Sequence, residues 1–324
     1  MDAEAEPPND TGGEVMRELH DAVAAEVAKV VVGQRETVAT LLAASALGGH
    51  VLLEGPPGVA KTLIANAFAR ALGVEFRRVQ FTPDMLPSDL TGNVTLRGGE
   101  LAFRRGPVFT NVLLADEVNR TPPKTQAALL EAMQEGQVSV EGRPEALPDP
   151  FLVVATQNPL EYEGTYALPE AQLDRFLVKL NVGYPSAEEE LGMLGLARSG
   201  VASGDLDAVR PVAGADALRE ARAQVDATRV EEEVARYVVD VVRRTRELPS
   251  VELGASPRAA VHLLGAARAA ARLAGRDYVT PDDVTTMARP VLAHRLLLRA
   301  EAEIERYSAA DAIETALGAV TVPR

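Results

Sequence analysis

His50-Val51-Leu52-Leu53-Glu54-Gly55-Pro56-Pro57-Gly58-Val59-Ala60-Lys61-Thr62 is the stretch on which the fold turns. Residues 50–55 read as a short apolar strand, the next residues as a Gly/Pro-rich loop, and residues 61–72 as a helix. In that context the backbone N–H groups of a tight loop point at phosphate oxygens, and the helix N-terminus adds partial positive charge. Lys61 would reach the β- and γ-phosphates of a nucleotide, and Thr62 would put its hydroxyl on Mg²⁺. The competing reading is an ordinary turn, but turns rarely end in Lys-Thr at a helix start. Position 60 is normally Gly in such loops and is Ala here. The smallest residue with a Cβ fits if position 60 keeps a negative φ, which is the expectation for Ala60.

Downstream, strand and helix signals alternate, the mark of a parallel sheet with crossovers. Further strands are read over 76–80, 111–115 (NVLLA), 151–156 (FLVVAT) and 177–182 (LVKLNV), and a helix over 124–135. Short continuous apolar runs fit strands buried on both faces. Two hairpins interrupt the rhythm, one around Arg97 to Arg105 and one in GQVSVEGRPEALPD before the fourth strand. Upstream, residues 14–31 read as helical. Residues 1–13 are acidic, contain Pro and Gly, and are expected to be disordered.

Composition changes after Tyr184-Pro185, where strand signals stop. Ser186 with Glu189 forms a capping-box pattern, and Thr280-Pro281-Asp282-Asp283 opens another helix. The expected organisation is a disordered tail (1–13), an α/β domain with two hairpin insertions (14–184) and an all-helical domain (185–324).

Asp116 and Glu117 end a buried apolar strand. Strand ends in such sheets converge on the phosphate site. Asp116 would hold Mg²⁺, directly or through water, and Glu117 would polarise an attacking water. Gln157-Asn158 ends the fourth strand, and the Asn158 amide, able to donate and accept, would orient that water or contact the γ-phosphate. Read alone, Asn-Pro is more often a turn.

The 324 residues carry a net charge of −14 and no cysteine. The acidic balance disfavours sequence-independent duplex binding, which needs basic surface. Disulfides, thiolate metal sites and cysteine nucleophiles are excluded. The four histidines show no metal-ligand spacing. No signal peptide or membrane span is read, so the cytoplasm is the expected location.

GPPGVAKT, LLADEVNRTPPKTQAALLEAMQEGQV and VVATQNPLEYEGTYALPEAQLDRF together resemble the MoxR branch of the AAA+ ATPases, over nearly all of residues 30–310. The middle block is the most specific of the three. The resemblance implies an αβα P-loop domain with a five-stranded parallel sheet, followed by a small helical lid. It makes residues Gly55, Pro56, Pro57, Gly58, Val59, Ala60, Lys61 and Thr62 Walker A, Asp116 and Glu117 Walker B, and Asn158 sensor 1. Arg175 matches the arginine finger and Arg258 sensor 2, while Val32 and Gly33 match the segment packed on adenine. Arg258 has an independent hint: it would lie in the first turn of a helix capped by Ser256, where the dipole disfavours a cation unless an anion faces it.

The resemblance further implies Mg²⁺-dependent ATP hydrolysis in a homo-oligomeric, usually hexameric, ring. It implies chaperone-like maturation of protein complexes, including cofactor or metal insertion, with a partner bearing a von Willebrand factor A domain. No nucleic acid or membrane insertion is expected. Two other readings stay open: a DNA-translocating motor resembling MCM helicases, which share the two hairpins, and a nucleotide-gated scaffold with little turnover. If Arg175 serves a neighbouring subunit, specific activity should rise with protein concentration.

Overall fold

The computed structural model describes residues 15–97, 100–140, 142–158, 166–198 and 205–323. The tail read over 1–13 lies outside these residues, as do Gly98, Gly99 and Glu141 at the two hairpin tips.

The strands are β1 (Val51–Glu54), β2 (Phe76–Gln80), the hairpin β3–β4 (Gly92–Arg97 and Glu100–Arg105), β5 (Val112–Asp116), the hairpin β6–β7 (Gln137–Val140 and Arg143–Ala146), β8 (Leu152–Gln157) and β9 (Val178–Asn181). Five of them form one sheet in the order β2-β5-β8-β1-β9, with every pairing parallel. Alternate side chains point to opposite faces of a strand. Val51, Leu53, Val112, Leu114, Leu152 and Val154 therefore enter one core, and Leu52, Leu113, Ala115, Val153 and Ala155 the other. Both faces are covered at β1, β5 and β8, so these strands carry continuous apolar runs, whereas the edge strand β2 (Phe76–Gln80) is polar and largely exposed. Each fully buried Leu or Val contributes about 1.5–3 kcal/mol.

Helices α1 (Val15–Val27), α2 (Arg35–Ala46) and α3 (Lys61–Ala71) cover the first face. The second is covered by α4 (Pro87–Thr91) and α5 (Pro123–Glu135), with α6 (Glu170–Leu173) nearby. The helix read over 14–31 stops at Val27, and α2 was not read as a separate element. Val30-Val31-Val32 is a β-branched run with poor helix propensity, and it ends at Gly33 with φ +76. The turn frees these valines for the functional cavity.

Beyond Pro185 come α7 (Ala187–Arg198), α8 (Ala215–Asp226), α9 (Glu232–Thr245), α10 (Pro257–Leu273), α11 (Pro281–Leu292), α12 (Ala300–Ile304) and α13 (Ala309–Gly318). Both capping patterns form: Ser186 N donates to Glu189 at 2.7 Å, and Thr280 N to Asp283 at 2.8 Å. The region is not purely helical, because β10 (Val251–Leu253) pairs antiparallel with β11 (Leu297–Leu298). Runs of three and two residues are too short to produce a strand signal in sequence. Residues of α8 to α11 share a continuous core with α1, α2 and α3. Pro185 thus marks a change of architecture without a break in the core. Among the described residues no helix is long and apolar enough to cross a membrane.

Candidate nucleotide site

The loop between β1 and α3 is fixed by two backbone requirements. A Cβ on Gly55 would lie 2.1 Å from the carbonyl oxygen of Val182, so only Gly fits there. Gly58 has φ +87, a conformation that favours Gly. Ala60 departs from the expectation of a negative φ: it sits at φ 61, ψ 22, in the left-handed region. The chain must reverse sharply to start α3 at Lys61, and Ala accepts a strain of roughly 1–2 kcal/mol to do so.

Residues 57–63 line a cavity of about 540 Å³. The first N–H groups of α3 have no intrahelical acceptor, which suits an anion. Val32, Pro57, Gly58, Val59, Ala60, Lys61, Thr62, Asp116, Glu117 and Asn158 meet around this one space. Gly33, Gly55 and Pro56 belong to the same two segments. Val30, Val31, Pro185 and Met193 add an apolar side.

The Lys61 ammonium donates to the carbonyl oxygens of Gly55 and Pro56. Burial pulls it below its ordinary range, opposed by the carboxylates of Asp116, Glu117 and Glu54. Asp116 is buried, with Oδ1 accepting from the Thr156 hydroxyl at 2.6 Å. Its Oδ2 accepts from Arg78 Nε at 3.0 Å and Nη2 at 2.6 Å. Glu117 also has left-handed backbone, φ 57. Its N–H donates to Thr156 Oγ1 at 2.9 Å, and its Oε2 accepts from Gln80 Nε2 at 2.6 Å. Arg120 Nη1 lies 3.2 Å from that same oxygen. Asn158, at the end of β8, is buried.

Sequence reasoning missed Arg78, Gln80 and Thr156. The signal for them is the sheet register, in which Gln80 stands beside Asp116, and register between parallel strands is not written in local pattern.

A magnesium nucleotide fits these residues. The volume lies within the usual range of about 300–1,000 Å³ for ligand sites. Thr62 and Asp116 offer hard oxygen donors, and Mg²⁺ is normally held by one or two protein oxygens plus substrate phosphates. Among the described residues no group of three His, Asp or Glu forms an all-protein metal cage.

Arg175 and Arg258 stand elsewhere. They line a second cavity of about 390 Å³ together with His50, His262 and Arg268. Ser256 caps α10, accepting from Ala259 N, so Arg258 does sit in the first helical turn. The carboxylate of Asp174 is engaged by Arg295 Nε at 2.7 Å and by the Ser256 hydroxyl at 3.2 Å. Arg295, almost fully buried, also donates to the carbonyl oxygens of Phe176 and Leu177 and to His262 Nδ1. One guanidinium therefore ties the segment carrying Arg175 to the helix carrying Arg258.

A P-loop at the end of an inner strand of a parallel sheet, two acids at the end of the strand one place further along (β5, with β8 between) and a helical unit packed beside them define the AAA class of ATPases. Residues 50–178 match the model of the ATPase family associated with various cellular activities, and residues 243–316 the AAA lid domain. Chaperone MoxR1 of Mycobacterium tuberculosis is 44% identical over 98% of this chain and 86% of its own length. YeaC of Bacillus subtilis, an uncharacterised protein, is 48% identical over 91% and 92%. A crystal structure of a candidate ATPase from Cytophaga hutchinsonii superposes with a TM-score of 0.89 at 41% identity, covering 97% of each chain. The chain belongs to the MoxR family of AAA+ ATPases.

Proposed function

We propose that this protein binds ATP with Mg²⁺, hydrolyses it, and uses the cycle to remodel or mature partner protein complexes. The observation carrying this reading is the meeting of Lys61, Thr62, Asp116, Glu117 and Asn158 around one cavity. When bound, magnesium held by Thr62 and Asp116 would neutralise the charge that develops on the phosphates. The loop amides and Lys61 bind the phosphates, and Thr62 and Asp116 hold the metal. Glu117 accepts a proton from the attacking water, and Asn158 orients that water.

Arg175 and Arg258 line a cavity separate from the P-loop. That supports a homo-oligomeric ring, hexameric by family resemblance, in which both arginines face a neighbouring subunit's nucleotide. The chaperone name of the M. tuberculosis relative supports a protein-remodelling role. A partner with a von Willebrand factor A domain, cofactor or metal insertion and a cytoplasmic location are parts of the same proposal.

Steady-state phosphate release tests it. Glu117→Gln should lower turnover by about 10²-fold or more while keeping nucleotide binding. Normal turnover in that variant would remove the role given to Glu117.

A further inference from the structure

Asp116 already holds a cation in this structure. Arg78 projects from β2 into the same cavity as Lys61 and Thr62, and two of its N–H groups converge on a single oxygen, Asp116 Oδ2. The other oxygen is taken by Thr156. Both oxygens of the carboxylate read as the metal ligand therefore already accept from protein donors. The contact extends sideways: Arg78 Nη2 also donates to Gln80 Oε1 at 2.9 Å, and Gln80 in turn donates to Glu117 Oε2. One hydrogen-bonded chain thus runs from the metal-binding acid to the water-polarising acid.

We propose that Arg78 is a built-in counter-ion that competes with Mg²⁺ for Asp116, so that metal loading must release the guanidinium and loosen the Gln80 bridge to Glu117. The inference rests on the nucleotide reading above. The exchange is chemically reasonable on three grounds. Arg78 is half exposed, whereas Asp116 is only 12% exposed at its side chain, so the mobile partner is the arginine. With its arginine half in solvent the pair is weakened by water, which leaves it open to displacement by a divalent ion chelated by phosphates. The guanidinium also keeps a buried carboxylate compensated when no metal is present, and an uncompensated charge there would be costly. Arg78 is a positioning residue: it acts through Asp116 and Gln80.

The test is the Mg²⁺ dependence of nucleotide binding, read with a fluorescent mant-ADP on the full chain, with no hydrolysis involved. With the competitor removed, Arg78→Gln should lower the half-saturating Mg²⁺ concentration by about threefold or more. Mant-ADP binding in EDTA should weaken, because a cation near the phosphates is lost. Arg78→Lys keeps the charge and should stay near the unsubstituted protein in both readouts. An unchanged or raised Mg²⁺ requirement in Arg78→Gln would overturn the proposal. So would loss of binding at saturating Mg²⁺ by a variant that melts at the normal temperature. The underlying nucleotide reading fails separately, through Lys61→Ala: if that variant binds mant-ADP as tightly as the unsubstituted protein, the site is misassigned and the proposal falls with it.

Discussion

His50, one residue before β1, should set how stability depends on pH. Its ring is 4% exposed and bonded at both nitrogens. Val153 N–H donates to Nδ1 at 3.0 Å, so Nε2 carries the proton and donates to Met133 O at 2.9 Å. A second proton has no acceptor, and burial pulls the pKa from 6.5 to about 4. Below pH 6.5 the unfolded chain takes up a proton that the folded chain refuses. Stability from this ring is therefore full above pH 6.5 and lost as pH falls toward 4. The complete loss is about 3 kcal/mol, of which about 2 kcal/mol is gone by pH 5. His262, pulled to about 4, and His294, pulled well down, add losses of the same sign, both mainly through burial. A substitution isolates the His50 share: Asn or Gln carries a donor and an acceptor but does not titrate. Urea denaturation from pH 7.5 to 5.0 should show His50→Asn or His50→Gln starting less stable yet losing about 2 kcal/mol less across the range. Parallel pH profiles for variant and unsubstituted protein would refute the reasoning.

Two further outcomes follow from local geometry. Ala60→Gly should relieve left-handed strain of roughly 1–2 kcal/mol, offset by about 0.4–1 kcal/mol of chain entropy. A small gain in melting temperature is expected, and a loss would show that the Ala60 methyl makes a compensating contact. Arg295→Met removes one partner of a buried pair and should cost about 3–5 kcal/mol in chemical denaturation, with Arg295→Met/Asp174→Asn recovering part of it. Additive losses in the double variant would argue against coupling through that pair.

Much of the fold was legible because the chemistry is local. The inner strands β1, β5 and β8 announce themselves as apolar runs, since both faces of the sheet are covered there. The P-loop and the Asp116-Glu117 pair stand at strand ends, where motif and element boundary coincide. What was illegible depends on geometry between elements. The left-handed backbone of Ala60 comes from the sharp reversal into α3, and nothing in the residue type signals it. Arg78 reaches Asp116 only through the β2–β5 register. The shared cavity of Arg175 and Arg258 depends on how Arg295, more than a hundred residues from Asp174, folds back onto it. The turn ending α1 was written in Val30-Val31-Val32-Gly33 but was overridden by the helical pattern before it.

The central claim is that Lys61 and the loop before it bind a magnesium nucleotide. Calorimetric titration of the folded protein with ADP and Mg²⁺ tests it most directly. Saturable binding in the micromolar to sub-millimolar range is expected, weakened about tenfold or more by Lys61→Ala. No saturable binding at millimolar nucleotide, or equal affinity in the Lys61→Ala protein, would contradict it.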